Sequence, residues 1–477
     1  MRQPSEQQGA ALTSDIRRIW DLQSKKRWEV AQSSAAERRT RLKRLAAAVQ
    51  KHRAAINLAV QKDFGKAPEE TDLTEVHIVL EELGHTVRNL ADWMRPEAVD
   101  APLLLAGTSS EVRHEARGQV LVLAPFNYPF QLAVLPVVSA VAAGNVVVLK
   151  PSEKTPATAA LIRTVLSEAF PEDEVAVIDG DAQVAEALLE MPWDHIFFTG
   201  STAVGKKVMA AAAKHLSGVT LELGGKSPAL VERSANLQRA ALTIAHGKFI
   251  NGGQTCVAPD YVLVPEELRE KLVAELRTVV ENFYGANPQT SPDFCRMIDD
   301  RAFGRLKGYV DAAVRGGAKV AFGGESDAAT RYLAPTVLVD VSVDAAVMQD
   351  EIFGPVLPVL TYKTAEEALA FVRARPAPLA LYVFATSRRE ADRALDGTAS
   401  GGACVNTTIF HLANPDLPFG GIGPSGVGNY HGRAGFRCFS HERAVLRQRG
   451  NPLSRFLAPP YAGRMNRLTA RLARWLE

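Results

Sequence analysis

Cys256 closes the segment Asn251-Gly252-Gly253-Gln254-Thr255-Cys256, a polar, glycine-rich stretch in the middle of the chain. Structural cysteines sit among apolar neighbours, whereas a nucleophilic thiol needs access, room for a substrate and local donors that favour the thiolate. Three other polar residues interrupt apolar segments: Asn127 in APFNYP (124–129), Glu222 in TLELGG (220–225) and Glu351 in QDEIFGP (349–355). Burying a carboxylate is costly unless the group is used or satisfied. Each interruption therefore marks either a working group or a turn or ion pair.

The elements that must position these groups read as an α/β protein. The chain has 477 residues, 47% apolar and 23% charged, enough for about three domain-sized units around a sizeable core. A net charge of +2 from 55 basic and 53 acidic residues disfavours nucleic acid as a partner. The cysteines at 256, 295, 404 and 438 have neither zinc-ligand spacing nor the density of a disulfide scaffold, which suits a reducing, cytoplasmic setting and predicts no metal site. The polar start, Met1 to Gly9, does not resemble a signal peptide and reads as frayed.

Ser34 with Glu37 forms a capping-box pattern, and Leu42, Leu45, Ala46, Val49, Ile56 and Val60 recur at helical spacing. A second helical stretch runs from Thr71 toward Met94. From Val120 onward, short β-rich runs at 120–123, 146–149, 175–178 and 196–198 alternate with helical segments, the pattern of a parallel sheet covered on both faces. The apolar run 130–149 is broken by Gly144 and Asn145 and reads as a buried helix followed by a strand, too short to span a bilayer. Gly200-Ser-Thr-Ala-Val-Gly-Lys206 follows the last of these strands and opens a helix, a natural anion site, although a helix cap explains the same residues. A helix over 237–249 leads into the cysteine segment. Helices over 266–281 and 303–315, with strands at 261–264, 319–322 and 356–360, suggest a second α/β unit. The glycine-dense stretch 418–432 must be a loop or a tight backbone crossing.

Taken in order, APFNYP (124–129), KPSE (150–153), FFTGSTAVGK (197–206), LELGGKSP (221–228) with GQTC (253–256), and EIFGP (351–355) resemble the aldehyde dehydrogenase superfamily from about residue 20 to 445. GQTCVAPDY (253–261) and NTTIFHLANPDLPFGGIG (406–423) are most similar to its class 3 and coniferyl-aldehyde branch. The resemblance implies an aldehyde-dehydrogenase-like α/β fold: a Rossmann-type cofactor domain, an α/β catalytic domain and a small oligomerisation arm. Its expected divisions are 1–108 (N-terminal helical part of the cofactor domain), 109–118 (part of the arm), 119–224 (NAD(P)-binding domain), 225–415 (catalytic thiol domain), 416–450 (oligomerisation and closing segment) and 451–477 (amphipathic tail). It also implies that Cys256 attacks the aldehyde carbon, that the Asn127 amide and the Cys256 N–H hold the oxyanion, and that Glu222 activates the water that hydrolyses the thioester. A soft nucleophile, a neutral donor and a proton-accepting carboxylate meet those needs. An ordinary cysteine is only a few per cent thiolate at pH 7, so local stabilisation of the thiolate is expected. Phe126 stands where the family often has Trp and reads as a packing residue. Pro424 stands where Asn is more usual and is expected to stiffen the loop near the substrate mouth.

By the same resemblance, Lys150 and Glu153 reach the adenosine ribose, Gly200, Ser201 and Gly205 bring a helix start to the pyrophosphate, and Glu351 and Phe353 meet the nicotinamide riboside. The competing account for Lys150 and Glu153 is a charged pair at a helix start. Glu153 should repel a 2′-phosphate, so NAD is the expected cofactor, with NADP the alternative. His411 and His431 invite a proton-shuttle reading, but structural roles fit them better. The expected substrate is a hydrophobic aldehyde, aromatic or medium to long aliphatic; Phe130, Leu132, Ile409 and Phe410 either line its channel or belong to the core. Acyl transfer to coenzyme A and a non-catalytic binding role are the alternatives, the first weakened by Glu222 and the second by the intact set of reactive residues. Ser109 to Glu115 alternates like a two-stranded hairpin of a dimer arm, implying a homodimer, with a tetramer as the alternative. The tail 461–477 has leucines at helical spacing among arginines, and packing on protein is favoured there over association with an anionic membrane.

Overall fold

The computed structural model describes residues 6–102, 105, 107–448, 459 and 474, leaving aside the side chains of 6–12. The tail over 461–477 thus lies almost wholly outside the described residues. The first helix, Glu6–Ala31, begins inside the polar stretch expected to fray. The next, Ala35–Phe64, starts at the expected capping box: Glu37 N donates to Ser34 Oγ at 3.3 Å and Ser34 N to Glu37 Oε2 at 2.7 Å. Leu42, Leu45, Val49, Ile56 and Val60 are buried along it. The helix ends at Gly65, whose φ of 74° is the left-handed value a glycine cap supplies cheaply. The second helical stretch begins at Pro68, passes through a π turn at Asp72–Val76 and continues as His77–Trp93.

A six-stranded sheet runs in the order Gly426–Val427, Gly218–Glu222, His195–Thr199, Gln119–Leu123, Val146–Lys150, Val175–Val177. The last five strands are parallel, and the short edge strand is antiparallel. Their fully buried valines and leucines reflect helices on both faces. The apolar run 130–149 divides into the wholly buried helix Gln131–Ala143 and the strand Val146–Lys150. Among the described residues no helix is long and apolar enough to cross a membrane.

A seven-stranded sheet follows, ordered Lys319–Phe322, Thr336–Val339, Val356–Tyr362, Tyr261–Pro265, Pro228–Val231, Ala380–Phe384, Gly402–Val405. It is parallel except at its first strand. The stretch 418–432 is a tight backbone crossing, as expected: a Cβ on Gly420 would lie 2.2 Å from the carbonyl oxygen of Gly428.

The arm differs from its expectation. Thr108–Ala116 does not form a self-contained hairpin; it pairs along nine residues with Ser440–Gln448, and Glu97–Val99 adds to its other edge. Alternation identified a half-exposed strand, but a strand's partner is chosen by tertiary packing, here from the far end of the chain. Ser440–Gln448 is the outer strand of this three-stranded sheet.

Candidate functional site

Four site segments leave the carboxyl ends of four adjacent parallel strands. Val146–Lys150 ends in Lys150, Gln119–Leu123 leads to Asn127, His195–Thr199 leads to Gly200 and Ser201, and Gly218–Glu222 ends in Glu222. The chain builds outward from Gln119–Leu123 toward Val175–Val177, then returns to His195–Thr199 on the other side. Doubly wound sheets bind ligands in the crevice at such a switch point. Three strand spacings separate Lys150 from Glu222, roughly 14 Å at about 4.8 Å per strand, a span suited to an extended ligand.

The thiol arrives from the other sheet. Helix Leu237–Phe249 runs into three consecutive left-handed residues, Asn251 (φ 55°), Gly252 (φ 60°) and Gly253 (φ 76°). Asn tolerates this region better than most side chains. At Gly253 the backbone approaches so closely that a Cβ would lie 2.3 Å from the Gly354 oxygen, which ties the cysteine loop to the Glu351 loop. Asn251 Nδ2 donates to the Asn127 carbonyl at 2.8 Å and to the Gln254 carbonyl at 3.1 Å. Asn127, itself buried, thus belongs to a loop held directly against the thiol segment.

Glu351 folds over the turn after Glu222: a Cβ on Gly224 would sit 2.0 Å from Glu351 Oε2. Its loop is pinned by groups that sequence reading missed. Lys226 Nζ donates to Val347 O (2.9 Å) and Asp350 O (2.7 Å) and pairs with Asp260, while Arg305 holds the carbonyls of Glu351 (3.1 Å) and Ile352 (2.8 Å). Lys226 lies within the quoted LELGGKSP pattern, so its position was visible but its partners were not. Phe353 has a φ of 50°, and its ring meets Phe126 edge-on at 5.8 Å. Phe126 also lies under Lys154 Nζ at 5.0 Å, which matches the packing role expected of it.

Cys256 and Glu222 open on one cleft of about 900 Å³, together with Tyr128, Thr199 and Thr255. Leu132, Ile250, Phe283, Ile409 and Phe410 supply apolar wall, whereas Phe130 is core. Glu69, Glu70, Glu81 and Asp293 also line the cleft, and among the described residues no Lys or Arg does.

The electrostatics correct one expectation. The Cys256 thiol is pushed up to about 12, first by burial and then by the charges of Glu351 and Glu222; the N–H groups of Cys256 and Val257 act as the expected local donors, but the environment as a whole opposes the thiolate. Burial alone raises the Glu222 carboxyl well above the ordinary carboxylate range, and among the described residues neither of its oxygens has a hydrogen-bond partner. Glu351 is raised to about 8, chiefly by burial and next by Asp260. Because only the thiolate reacts, alkylation of Cys256 by iodoacetamide in the ligand-free protein should accelerate about tenfold per pH unit through pH 9.5. A plateau below pH 8.5 would show a thiol of ordinary or lowered acidity instead.

Burial pushes His431 and His411 down to about 4, leaving both neutral at physiological pH. His411 Nδ1 lies 3.3 Å from Cys404 Sγ, and His431 stacks on Phe419 at the cleft wall.

On the cofactor side, Lys150 is buried, with Nζ 3.0 Å from Glu153 Oε2 and 3.1 Å from Pro151 O. Ser201 is the N-cap of helix Thr202–Ala213, its Oγ accepting from Val204 N at 3.4 Å. A Cβ on Gly205 would lie 2.6 Å from Leu223, so this glycine lets the helix start seat against the sheet edge. Thr202 Oγ1 donates to the Pro424 carbonyl at 3.0 Å. That contact puts Pro424 at the start of this helix, a correction to its expected place at the substrate mouth. A helix N-terminus for phosphate, a buried ammonium for hydroxyls and Glu351 Oε1, unpartnered among the described residues, for a ribose fit a nicotinamide dinucleotide.

A cysteine and a proton-accepting carboxyl on one cleft, at the switch point of a doubly wound sheet, are the makings of a dinucleotide-linked, thiol-dependent oxidoreductase. The chain belongs to the aldehyde dehydrogenase family, which it matches over residues 6–445, and it oxidises aldehydes with NAD(P). A probable coniferyl aldehyde dehydrogenase of Caulobacter vibrioides is 45% identical over 421 residues, covering 86% of this chain and 87% of the relative. The dimeric NADP-preferring aldehyde dehydrogenase of Rattus norvegicus is 45% identical over 391 residues, covering 82% and 85%. The solved structure of substrate-bound Staphylococcus aureus AldH superposes with a TM-score of 0.92 at 40% identity, covering 96% of this chain and 99% of that one.

Proposed function

We propose that Cys256 is the nucleophile, Asn127 the oxyanion donor and Glu222 the general base of this aldehyde oxidation. The observation that carries this reading is the meeting of Cys256 and Glu222, from different sheets, on one cleft. Cys256 gives up its proton to solvent, and the Sγ so freed bonds to the aldehyde carbon. The Asn127 amide and the Cys256 N–H stabilise the negative oxygen formed in that attack. The dinucleotide, when bound, supplies the hydride acceptor that turns the adduct into a thioester. Lys150 and Glu153 would hold its adenosine ribose, the helix start at Gly200, Ser201 and Gly205 its pyrophosphate, and Glu351 with Phe353 its nicotinamide riboside. Glu222 then takes a proton from the water that releases the acid. A dedicated water activator favours hydrolysis over transfer to coenzyme A.

The substrate is a hydrophobic aldehyde, aromatic or of medium to long chain, and Glu153 selects NAD. Support comes from the apolar wall of the cleft and the name of the Caulobacter relative; the name of the rat relative speaks for NADP. The test is kcat/KM for acetaldehyde, hexanal, decanal and coniferyl aldehyde with each dinucleotide. Each buried methylene adds about 0.8 kcal/mol, so hexanal, with four more, should exceed acetaldehyde by roughly 200-fold. A preference for acetaldehyde, or a tenfold preference for NADP, would overturn the corresponding part.

The protein assembles as a homodimer, with a tetramer the alternative, and acts in the cytoplasm, where a free thiol persists. Among the described residues Ser440–Gln448 is the outer strand of its sheet, a place where a second subunit could add a strand. Light scattering at micromolar concentration should give at least twice the 51.5 kDa chain mass. A monomer mass would refute the assembly, and recovery of the protein with membranes on fractionation would refute the location.

A further inference from the structure

Lys66 and Glu75 form an ion pair at 3.0 Å in which neither side chain has any solvent exposure. A fully buried pair is costly to desolvate and adds little net stability, which directs attention to what it holds in place. Glu75 Oε2 accepts from the backbone N–H groups of Phe130 (2.8 Å) and Gln131 (3.3 Å), the start of helix Gln131–Ala143, which has no capping side chain of its own. That start follows Asn127 and Tyr128 directly. Lys66 Nζ also lies 4.1 Å from the centre of the Tyr128 ring, and the Tyr128 hydroxyl bonds Thr255 Oγ1 at 2.8 Å, one residue before Cys256. From the same segment, Glu70 Oε1 accepts the Asn251 N–H at 2.9 Å, and Asn251 in turn holds the Asn127 carbonyl. Residues 66–75 therefore touch both the amide loop and the thiol loop from three directions.

We propose that the Lys66–Glu75 ion pair is a positioning device for the reaction, fixing Asn127 relative to Cys256 through the helix start on one side and through Tyr128 and Thr255 on the other. It touches no substrate; it sets where the oxyanion donor stands when the carbon–sulfur bond forms. A misplacement of about 1 Å in such a donor can cost on the order of 100-fold in rate. The inference rests on the roles proposed for Asn127 and Cys256.

The test is a double-mutant cycle on kcat/KM for hexanal, combining the pair with Asn127. Lys66→Met alone leaves a buried carboxylate unpaired and can fail to fold, so the main variant is Lys66→Met/Glu75→Met; replacing a buried ion pair by apolar groups is often neutral for stability. In the wild-type background this double variant should lower kcat/KM by 10- to 100-fold with the melting temperature within a few degrees and dinucleotide affinity unchanged. In the Asn127→Ala background the same change should cost less than threefold, since the group being positioned is gone, and Lys66→Arg should retain more activity than Lys66→Met/Glu75→Met. An equal loss in both backgrounds, or wild-type kcat/KM in the double variant, would overturn the proposal. An Asn127→Ala enzyme as active as the wild type would instead sink the assignment of Asn127, which separates the two failures.

Discussion

Replacing Cys256 with Ala is expected to lower kcat/KM for aldehyde oxidation by ~10⁴-fold or more, as loss of a covalent nucleophile does, while NAD affinity changes by less than about twofold. The size follows from the route: without Sγ there is no adduct from which a hydride can leave, and the other three cysteines offer no substitute. Cys295 and Cys404 are buried, and Cys438 sits against Thr220 at 3.0 Å. The side chain is small, and the loop is held by Asn251 and Gly253. Stability should therefore hold. Initial-rate kinetics beside dinucleotide titration of the same preparation would check it. Turnover within tenfold of the parent would contradict the covalent route.

Glu222→Gln should separate the two halves of the reaction. Thioester formation continues, giving a burst of about one NADH per active site, and the following steady rate falls by roughly 10²- to 10⁴-fold, the range supplied by a positioned general base. The same variant has a signature in stability. The folded-state pKa of Glu222 is raised above its unfolded value, so folding takes up a proton. The stability of the native carboxyl is then lost progressively as pH rises from the unfolded pKa through the folded one. Glutamine does not titrate, so the variant should melt higher than the parent at pH 8, with the difference vanishing near pH 4. An unchanged steady rate would remove Glu222 from hydrolysis; a melting difference independent of pH would mean its carboxyl is not held neutral.

Much of this architecture is legible in the chain. The capping box at Ser34 and Glu37, the alternation of valine-rich strands with helices from residue 120, and the helix leading into the cysteine segment are local signals, and local structure follows them. Asn127, Glu222 and Glu351 stand out because each is polar among apolar neighbours, and Cys256 because its neighbours are polar and glycine-rich. What stayed hidden depends on contacts between distant segments. Nothing near Thr108–Ala116 announces Ser440–Gln448 as its partner. The acidity of the Cys256 thiol is set by how deeply two sheets bury it and by carboxyls 34 and 95 residues away in sequence. Lys66 and Glu75 look like the charged surface of a helical region, and only folding shows them paired without water behind the active loops. The Lys226, Asp260 and Arg305 anchors of the Glu351 loop escaped for the same reason: a charged side chain in sequence carries no mark of the carbonyls it will hold.

The central claim is that a covalent acyl group on Cys256 lies between aldehyde and acid. Its most direct test is to mix the Glu222→Gln enzyme with NAD and hexanal, quench in acid after the burst, and map the mass of the Cys256 peptide. A hexanoyl increment on Cys256, in one copy per active site, is the predicted result. An unmodified Cys256 peptide beside a full burst of NADH would contradict it.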